Sequence, residues 1–146
     1  MTGTPPGTVI QNGRAKAYRP LPAATRRRAF EAALAAYERG DFFETHELLE
    51  PAWMGTDDPA ERNLHQGLIK LAAAFVHRVR GNPRGIERNL VGARERLAEA
   101  TGTAAAHASG LDLAALVGAI DDRLDRLAIH PDDASIEAPV LPRSTP

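Results

Sequence analysis

The second predicted helix places a histidine and a glutamate, which could bind a metal or take part in catalysis, among aromatic side chains. At about 100° per residue, the side chains within roughly 60° of His46 are Phe42, Phe43, Leu49, Glu50 and Trp53. Because an unpaired polar group is costly to bury, we expect His46 and Glu50 to be buried and hydrogen-bonded. Their expected partners are Gln66 or His77 of the next helix.

Two chemical interpretations of this cluster are open. His46, Glu50 and His77 are side chains that Zn²⁺ or Fe²⁺ accepts as ligands. The H-E-x-x-H motif is incomplete, however, because position 50 is glutamate. A histidine on an apolar face is more often a core residue with both nitrogens hydrogen-bonded. We therefore favour a structural pair over a divalent metal, and the sequence specifies no catalytic residue, reaction or cofactor.

The third predicted helix has an apolar and a polar stripe. The core stripe comprises Leu64, Leu68, Leu71, Phe75 and Val79. The opposite stripe contains Arg62, Gln66, Lys70, Ala73 and His77. This second stripe faces either water or another helix, and its pattern does not decide between them. If a helix covers it, a polar pocket is expected from His46, Glu50, Trp53, Gln66, Lys70 and His77. His65 points about 100° away from Gln66 and is predicted to be a surface residue.

Helix signals and the absence of strand alternation predict an all-α fold. Five helices are expected, at about 23–39, from Asp41 onwards, 59–80, 83–100 and 112–129, with a loop between the last two. The predicted N-cap residues of the last four helices are Asp41, Asp58, Asn82 and Asp112. Pro51 should kink or restart the second helix, because it removes a backbone donor. Short connections favour a single-domain bundle with mostly antiparallel neighbours.

The chain divides into three predicted parts. Residues 1–22 form an extended, basic and Pro-rich arm, residues 23–130 the helical domain, and residues 131–146 a Pro-rich tail. Between Arg14 and Arg28 the arm region has six basic residues and no acid. Such an arm either contacts phosphate or lies on an acidic face of its own protein, and we favour the second.

Composition excludes several classes of protein. The chain has 146 residues, a formal net charge of −1 and no cysteine. It therefore has no disulfide and no overall basic field, which argues against nucleic-acid binding. The first ten residues have no apolar run typical of a signal peptide, and no segment has the length of a membrane span. We expect a cytoplasmic protein, with homo-oligomerisation left open.

Four motifs, taken together, resemble one family. They are Phe43-Glu44-x-His46-Glu47-x-x-Glu50-x-x-Trp53, Gln66-Gly67-Leu68-Ile69-x-Leu71-Ala72, His77, and Gly81-Asn82-Pro83-x-Gly85. In order and spacing the sequence resembles the bacterial and archaeal domain-of-unknown-function family 309, with Lys70 where the family usually has a second glutamine. The resemblance implies a small all-helical fold and these positions, but no activity.

A second class of function, that of an interaction scaffold, is an alternative to a ligand-binding pocket. The segment from Tyr37 to His46 loosely resembles the turn of a tetratricopeptide-type helical hairpin, although no second copy follows at the expected period. The protein is therefore either a small-ligand or metal-binding protein, or a non-catalytic helical interaction scaffold. In the scaffold, the same residues would form a buried structural network.

Overall fold

The computed structural model describes residues 8–11, 14–17, 19–133 and 135–144. Two strands come first, β1 (Thr8–Gln11) and β2 (Arg14–Ala17). The helices are α1 (Ala23–Glu38), α2 (Phe42–Met54), α3 (Pro59–Val79), α4 (Pro83–Ala100), α5 (Ala104–Ser109) and α6 (Leu113–Ile129). The predicted all-α class is confirmed.

The N-terminal arm contains an element that the sequence analysis did not predict. β1 and β2 form an antiparallel hairpin in which Thr8 pairs with Ala17 and Gln11 pairs with Arg14. Residues 1–7, 12, 13 and 18 of the predicted arm lie outside the described residues. Its last part runs past the end of α2, where the Arg19 and Leu21 amides donate to the carbonyls of Met54 and Gly55.

Side-chain caps start five of the six helices in the described residues. The cap residues are Asp41, Asp58, Asn82, Thr103 and Asp112. Each accepts a hydrogen bond from the backbone N–H of the third residue of its helix, which satisfies an otherwise unpaired donor. Four of these caps were predicted. Thr103 was not, and α5 therefore occupies a segment that was expected to be a loop. Gly110 ends α5 at a φ of 74°, which favours glycine.

Helix α3 lies at the centre of the bundle and packs against α2 and α4. A side-chain carbon at Gly67 would lie 2.6 Å from Cγ of Leu97, so the absence of a side chain allows α3 and α4 to approach closely. The predicted core stripe of α3 is buried from Leu64 to Phe75. Val79 is the exception, because it is the last residue of the helix and is 81% exposed.

The region predicted as a tail packs against the bundle between residues 135 and 144. Ile136 is fully buried, and the Tyr37 hydroxyl donates to the Pro139 carbonyl at 2.7 Å. The Asp112 amide donates to the Pro142 carbonyl at 2.9 Å. This segment therefore links α1 to the start of α6.

Candidate functional site

Helix α2 turns a different face inward from the one predicted. Its buried residues are Thr45, Leu49 and Ala52. The Thr45 hydroxyl donates to the Asp41 carbonyl at 2.9 Å, so this polar residue is satisfied within its own helix. The centre of the buried face lies about 100° from His46, given the helical angle per residue.

The prediction that His46 and Glu50 are buried is wrong. Their side chains are 35% and 48% exposed. Phe43 shares their outward face and is 60% exposed. Phe43 is apolar but faces solvent, whereas Thr45 is polar but packs inward, so polarity alone does not identify the buried face of α2.

His46 finds its partners on its own helix rather than on α3. Its Nε2 lies 3.6 Å from Oε2 of Glu50, and its Nδ1 lies 3.4 Å from Oε1 of Glu47. The imidazole thus stands between two carboxylates on the outer surface of α2. Neither Gln66 nor His77 is the partner that was predicted for it.

The two carboxylates border a groove of about 430 Å³. It is lined by Arg19, Leu21, Glu47, Glu50, Pro51 and Met54. Pro51 lies inside α2, which continues to Met54 instead of restarting. The segment that contains Arg19 and Leu21 forms one wall, held to the end of α2 by its two backbone hydrogen bonds. The groove therefore combines an apolar lining with acidic side chains and one arginine.

Trp53 lies against a buried arginine, Arg62, which was predicted on the polar stripe of α3. The Arg62 guanidinium is 4.9 Å from the centroid of the Trp53 ring and donates to the carbonyls of Trp53 and Thr56. Burial lowers the pKa of Arg62 from its ordinary value. Among the described residues, Trp53 Nε1 and Gln66 Oε1 are buried polar atoms without a hydrogen-bond partner.

The other end of the polar stripe packs against α4. A side-chain carbon at Gly92 would meet Cδ of Lys70 at 2.7 Å, and one at Gly85 would meet Cγ of His77 at 2.5 Å. His77 Nδ1 also lies 3.2 Å from Nδ2 of Asn82. Of the two interpretations of this stripe, the structure therefore shows the one in which a neighbouring helix covers it.

The predicted metal set is not assembled. Within the described parts of the chain, no three histidine or acidic side chains come together as a group that could hold a metal ion. His46 and Glu50 are adjacent on the outside of α2, whereas His77 lies beside the start of α4. The six residues of the predicted pocket are thus distributed over three places.

The comparison with protein families agrees with the resemblance that the sequence motifs indicated. Residues 30–89 match the family described as Domain of unknown function (DUF309). The resemblance predicted from the motifs is confirmed. The comparisons with curated proteins and with solved structures gave no match. In the described residues, no helix has the length and apolar character needed to cross a membrane.

The segment that matches this family contains a histidine, His65, that was wrongly predicted to lie on the surface. His65 is 3% exposed, and its ring centroid lies 5.8 Å from that of Phe30. Burial lowers the pKa of His65 to about 4, and its ring hydrogen-bonds to the backbone of Ala52. The missed signal is its position about 80° from the centre of the core stripe, where α1 covers the flank of α3.

Proposed function

We propose that the protein binds a small organic cation with an apolar chain in the groove beside α2. The supporting observation is that Glu47 and Glu50, both about half exposed, border a groove with an apolar lining. The carboxylates would bind the cationic group, while Leu21, Pro51 and Met54 would contact the chain. This proposal retains Glu50 and His46 from the predicted pocket and assigns no reaction.

The charges explain why a cation suits this groove. Both carboxylates pair with His46 at 3.4 to 3.6 Å, distances longer than a close charge-assisted hydrogen bond. An ammonium group about 4 Å from a carboxylate is attracted by roughly 4 kcal/mol near a protein surface, before desolvation is subtracted. Exposure and salt reduce this attraction, so binding also requires the apolar contacts.

Arg19 would compete with a bound cation for the carboxylates of the groove. It is a basic residue of the predicted arm and lines the same groove as Glu47 and Glu50. Its position agrees with the hypothesis that the arm lies on an acidic face of its own protein. A bound cation would share these carboxylates with Arg19 or displace its guanidinium from the groove.

The test compares n-pentylamine with 1-pentanol, which has the same chain without the charge. We expect pentylamine to shift the backbone amide signals of residues 47–50 and 52–54 in ¹⁵N–¹H spectra and to bind at least about tenfold more tightly than pentanol. The Glu47→Gln/Glu50→Gln double variant should lose this preference. Glu44→Gln is the matched control, because Glu44 is exposed on the same helix but does not line the groove.

Two results would contradict the proposal. Equal affinity for pentylamine and pentanol would show that the carboxylates do not contribute to binding. An equal loss of affinity in the Glu44→Gln variant would show that only the overall charge of α2 matters.

One observation supports the alternative function of an interaction protein. Phe43 is 60% exposed and precedes His46 and Glu50 by three and seven positions, so the three residues share one outward face of α2. If this face binds a second copy of the chain, the Phe43→Ser variant should sediment as a smaller species than the wild type. Identical sedimentation of the two proteins would exclude self-association through this face.

A further inference from the structure

The turn between α3 and α4 and the first residues of α4 form a basic surface. Between residues 78 and 88 the chain has four arginines and one acidic residue, Glu87. Arg80, Arg84 and Arg88 are exposed, and within the described residues their guanidinium groups have no hydrogen bond or ion pair. Arg84 and Arg88 are four positions apart on α4, so they share one face of the helix. We call these three residues the arginine surface.

A surface of opposite charge lies at the end of α6. Asp122, Asp125 and Asp132 are exposed, and their carboxylates have no hydrogen bond or ion pair in the described part of the chain. Asp122 and Asp125 are three positions apart, which places them within about 60° of each other around the helix. Arg126 pairs with Asp133 at 3.9 Å, so this pair leaves the negative charge of the other three aspartates unchanged. We call those three residues the aspartate surface.

An exposed apolar side chain accompanies each of the two surfaces. Val79, which precedes Arg80, is 81% exposed, and Ile129, the last residue of α6, is 73% exposed. Ile129 lies about 20° from Asp122 around the helix, so the two side chains project from the same side of α6. Interfaces between proteins typically have an apolar centre and a polar rim. Both surfaces therefore combine unpaired charge with the apolar area that such an interface uses.

We propose that the arginine surface binds the aspartate surface of a second copy of the chain. Charge complementarity selects this occupant, because three unpaired arginines on one surface match three unpaired aspartates on the other. Among the described residues, no ion pair joins the two surfaces within one chain, so both are available to another copy. Neither surface includes Phe43 or a residue of the groove beside α2, so this inference does not depend on the functions proposed above.

The salt dependence of self-association is the first measurement. In sedimentation velocity experiments the wild type should associate at about 0.02 M salt, and its dissociation constant should rise at least about tenfold at about 0.5 M, because salt screens the charges. Wild type that stays monomeric at low salt would overturn the proposal. If that monomer binds polyphosphate through Arg84 and Arg88, the arginine surface has a polyanionic partner instead of a second copy.

Charge reversal and mixing test which residues meet. Arg84→Glu/Arg88→Glu and Asp122→Lys/Asp125→Lys should each weaken self-association at low salt at least about tenfold. All four positions are exposed, so both variants should fold, which far-UV circular dichroism checks. In an equimolar mixture, each reversed surface meets a surface of opposite charge on the other variant. Association should therefore return to within about threefold of the wild type.

The matched control reverses two arginines outside both surfaces. Arg28→Glu/Arg39→Glu changes the net charge by the same amount as Arg84→Glu/Arg88→Glu, at exposed positions in and next to α1. This control should associate like the wild type. An equal loss of association in the control would show that only net charge matters, and a mixture of the two reversed variants that stays dissociated would show that the two surfaces do not meet. Either result would overturn the proposal.

Discussion

The burial of two histidines, His46 on α2 and His65 on α3, is the reverse of what the sequence predicts. His46 was predicted to be buried, yet its side chain is 35% exposed between two carboxylates. His65 was predicted to face solvent, yet it is 3% exposed and packs against Phe30. One imidazole is therefore available to soluble ligands, while the other is part of the core.

The difference between the two histidines shows that a helix can bury a polar side chain when that side chain is hydrogen-bonded. Thr45 packs inward because its hydroxyl bonds to the carbonyl of Asp41. His65 is buried because Ala52 provides a backbone partner and α1 provides an aromatic neighbour. Both polar residues are stable inside because their local partners offset much of the cost of desolvation.

The largest expected effect is a difference in the free energy of unfolding between variants of the two histidines. His65→Ala should lower the free energy of unfolding by about 3–5 kcal/mol, because it removes a packed ring and the hydrogen bond between that ring and the backbone of Ala52. His46→Ala should cost less than about 1 kcal/mol, as at other exposed positions. Urea denaturation of the two variants measures this difference. Equal losses would mean that the two environments are not distinct.

A pH titration sharpens the same comparison. The pKa of His65 is about 4 in the folded protein and near 6.5 when unfolded, so the unfolded state binds the proton more readily. Its contribution to stability is complete above about pH 6.5 and should fall as the pH decreases towards 4, by on the order of 3 kcal/mol. Arg26, Arg62 and Glu61 face this ring and belong to its electrostatic environment.

The control for this titration is His65→Gln, which cannot titrate at this position. Urea midpoints measured from pH 7 to pH 4 should fall more steeply in the wild type than in the variant. Parallel slopes would contradict a neutral, buried His65.

The sequence predicted the fold better than it predicted the site, for physical reasons. Cap residues such as Asp58 and Asn82 act locally, so the starts of α3 and α4 could be located from neighbouring residues alone. The inward face of α2 depends on which helices surround it, and two phenylalanines gave a misleading pattern. Phe42 packs against the core, whereas Phe43 is 60% exposed.

The pocket between α1, α3 and α5, which His65 lines, could not be predicted from periodicity. It requires α5, a short helix between Thr103 and Gly110 that begins and ends with ordinary cap residues in an Ala-rich segment. It also requires α1 to approach α3 across a gap of 35 residues in sequence, where Arg26 pairs with Glu61. Neither contact leaves a periodic signal in the helix that contains His65.

Glu47 and Glu50 should contribute equally to the stability of the fold. If Glu50 were buried and Glu47 exposed, their contributions would instead be strongly unequal. Their side chains are 57% exposed for Glu47 and 48% for Glu50, and both pair with His46. Glu47→Ala and Glu50→Ala should each cost less than about 1 kcal/mol in a urea titration. A loss of several kcal/mol in Glu50→Ala alone would restore the buried-pair hypothesis.

The smallest expected effect concerns the competition in the groove. Arg19→Ala removes a cation that lines the groove with Glu47 and Glu50, so pentylamine should bind about two- to fivefold more tightly. Arg39→Ala is the control, because Arg39 is exposed and does not line the groove. Weaker binding after Arg19→Ala would indicate that Arg19 supports the site instead of competing for it.

The most direct test of the contrast between the two histidines is the protonation state of the His65 ring. Long-range ¹H–¹⁵N spectra, with the His65→Gln variant used for assignment, report the state of each ring nitrogen as the pH changes. The account predicts that Nε2 of His65 carries the proton, that Nδ1 is unprotonated, and that the ring becomes charged only near pH 4. Protonation near pH 6.5, the ordinary value for histidine, would contradict it.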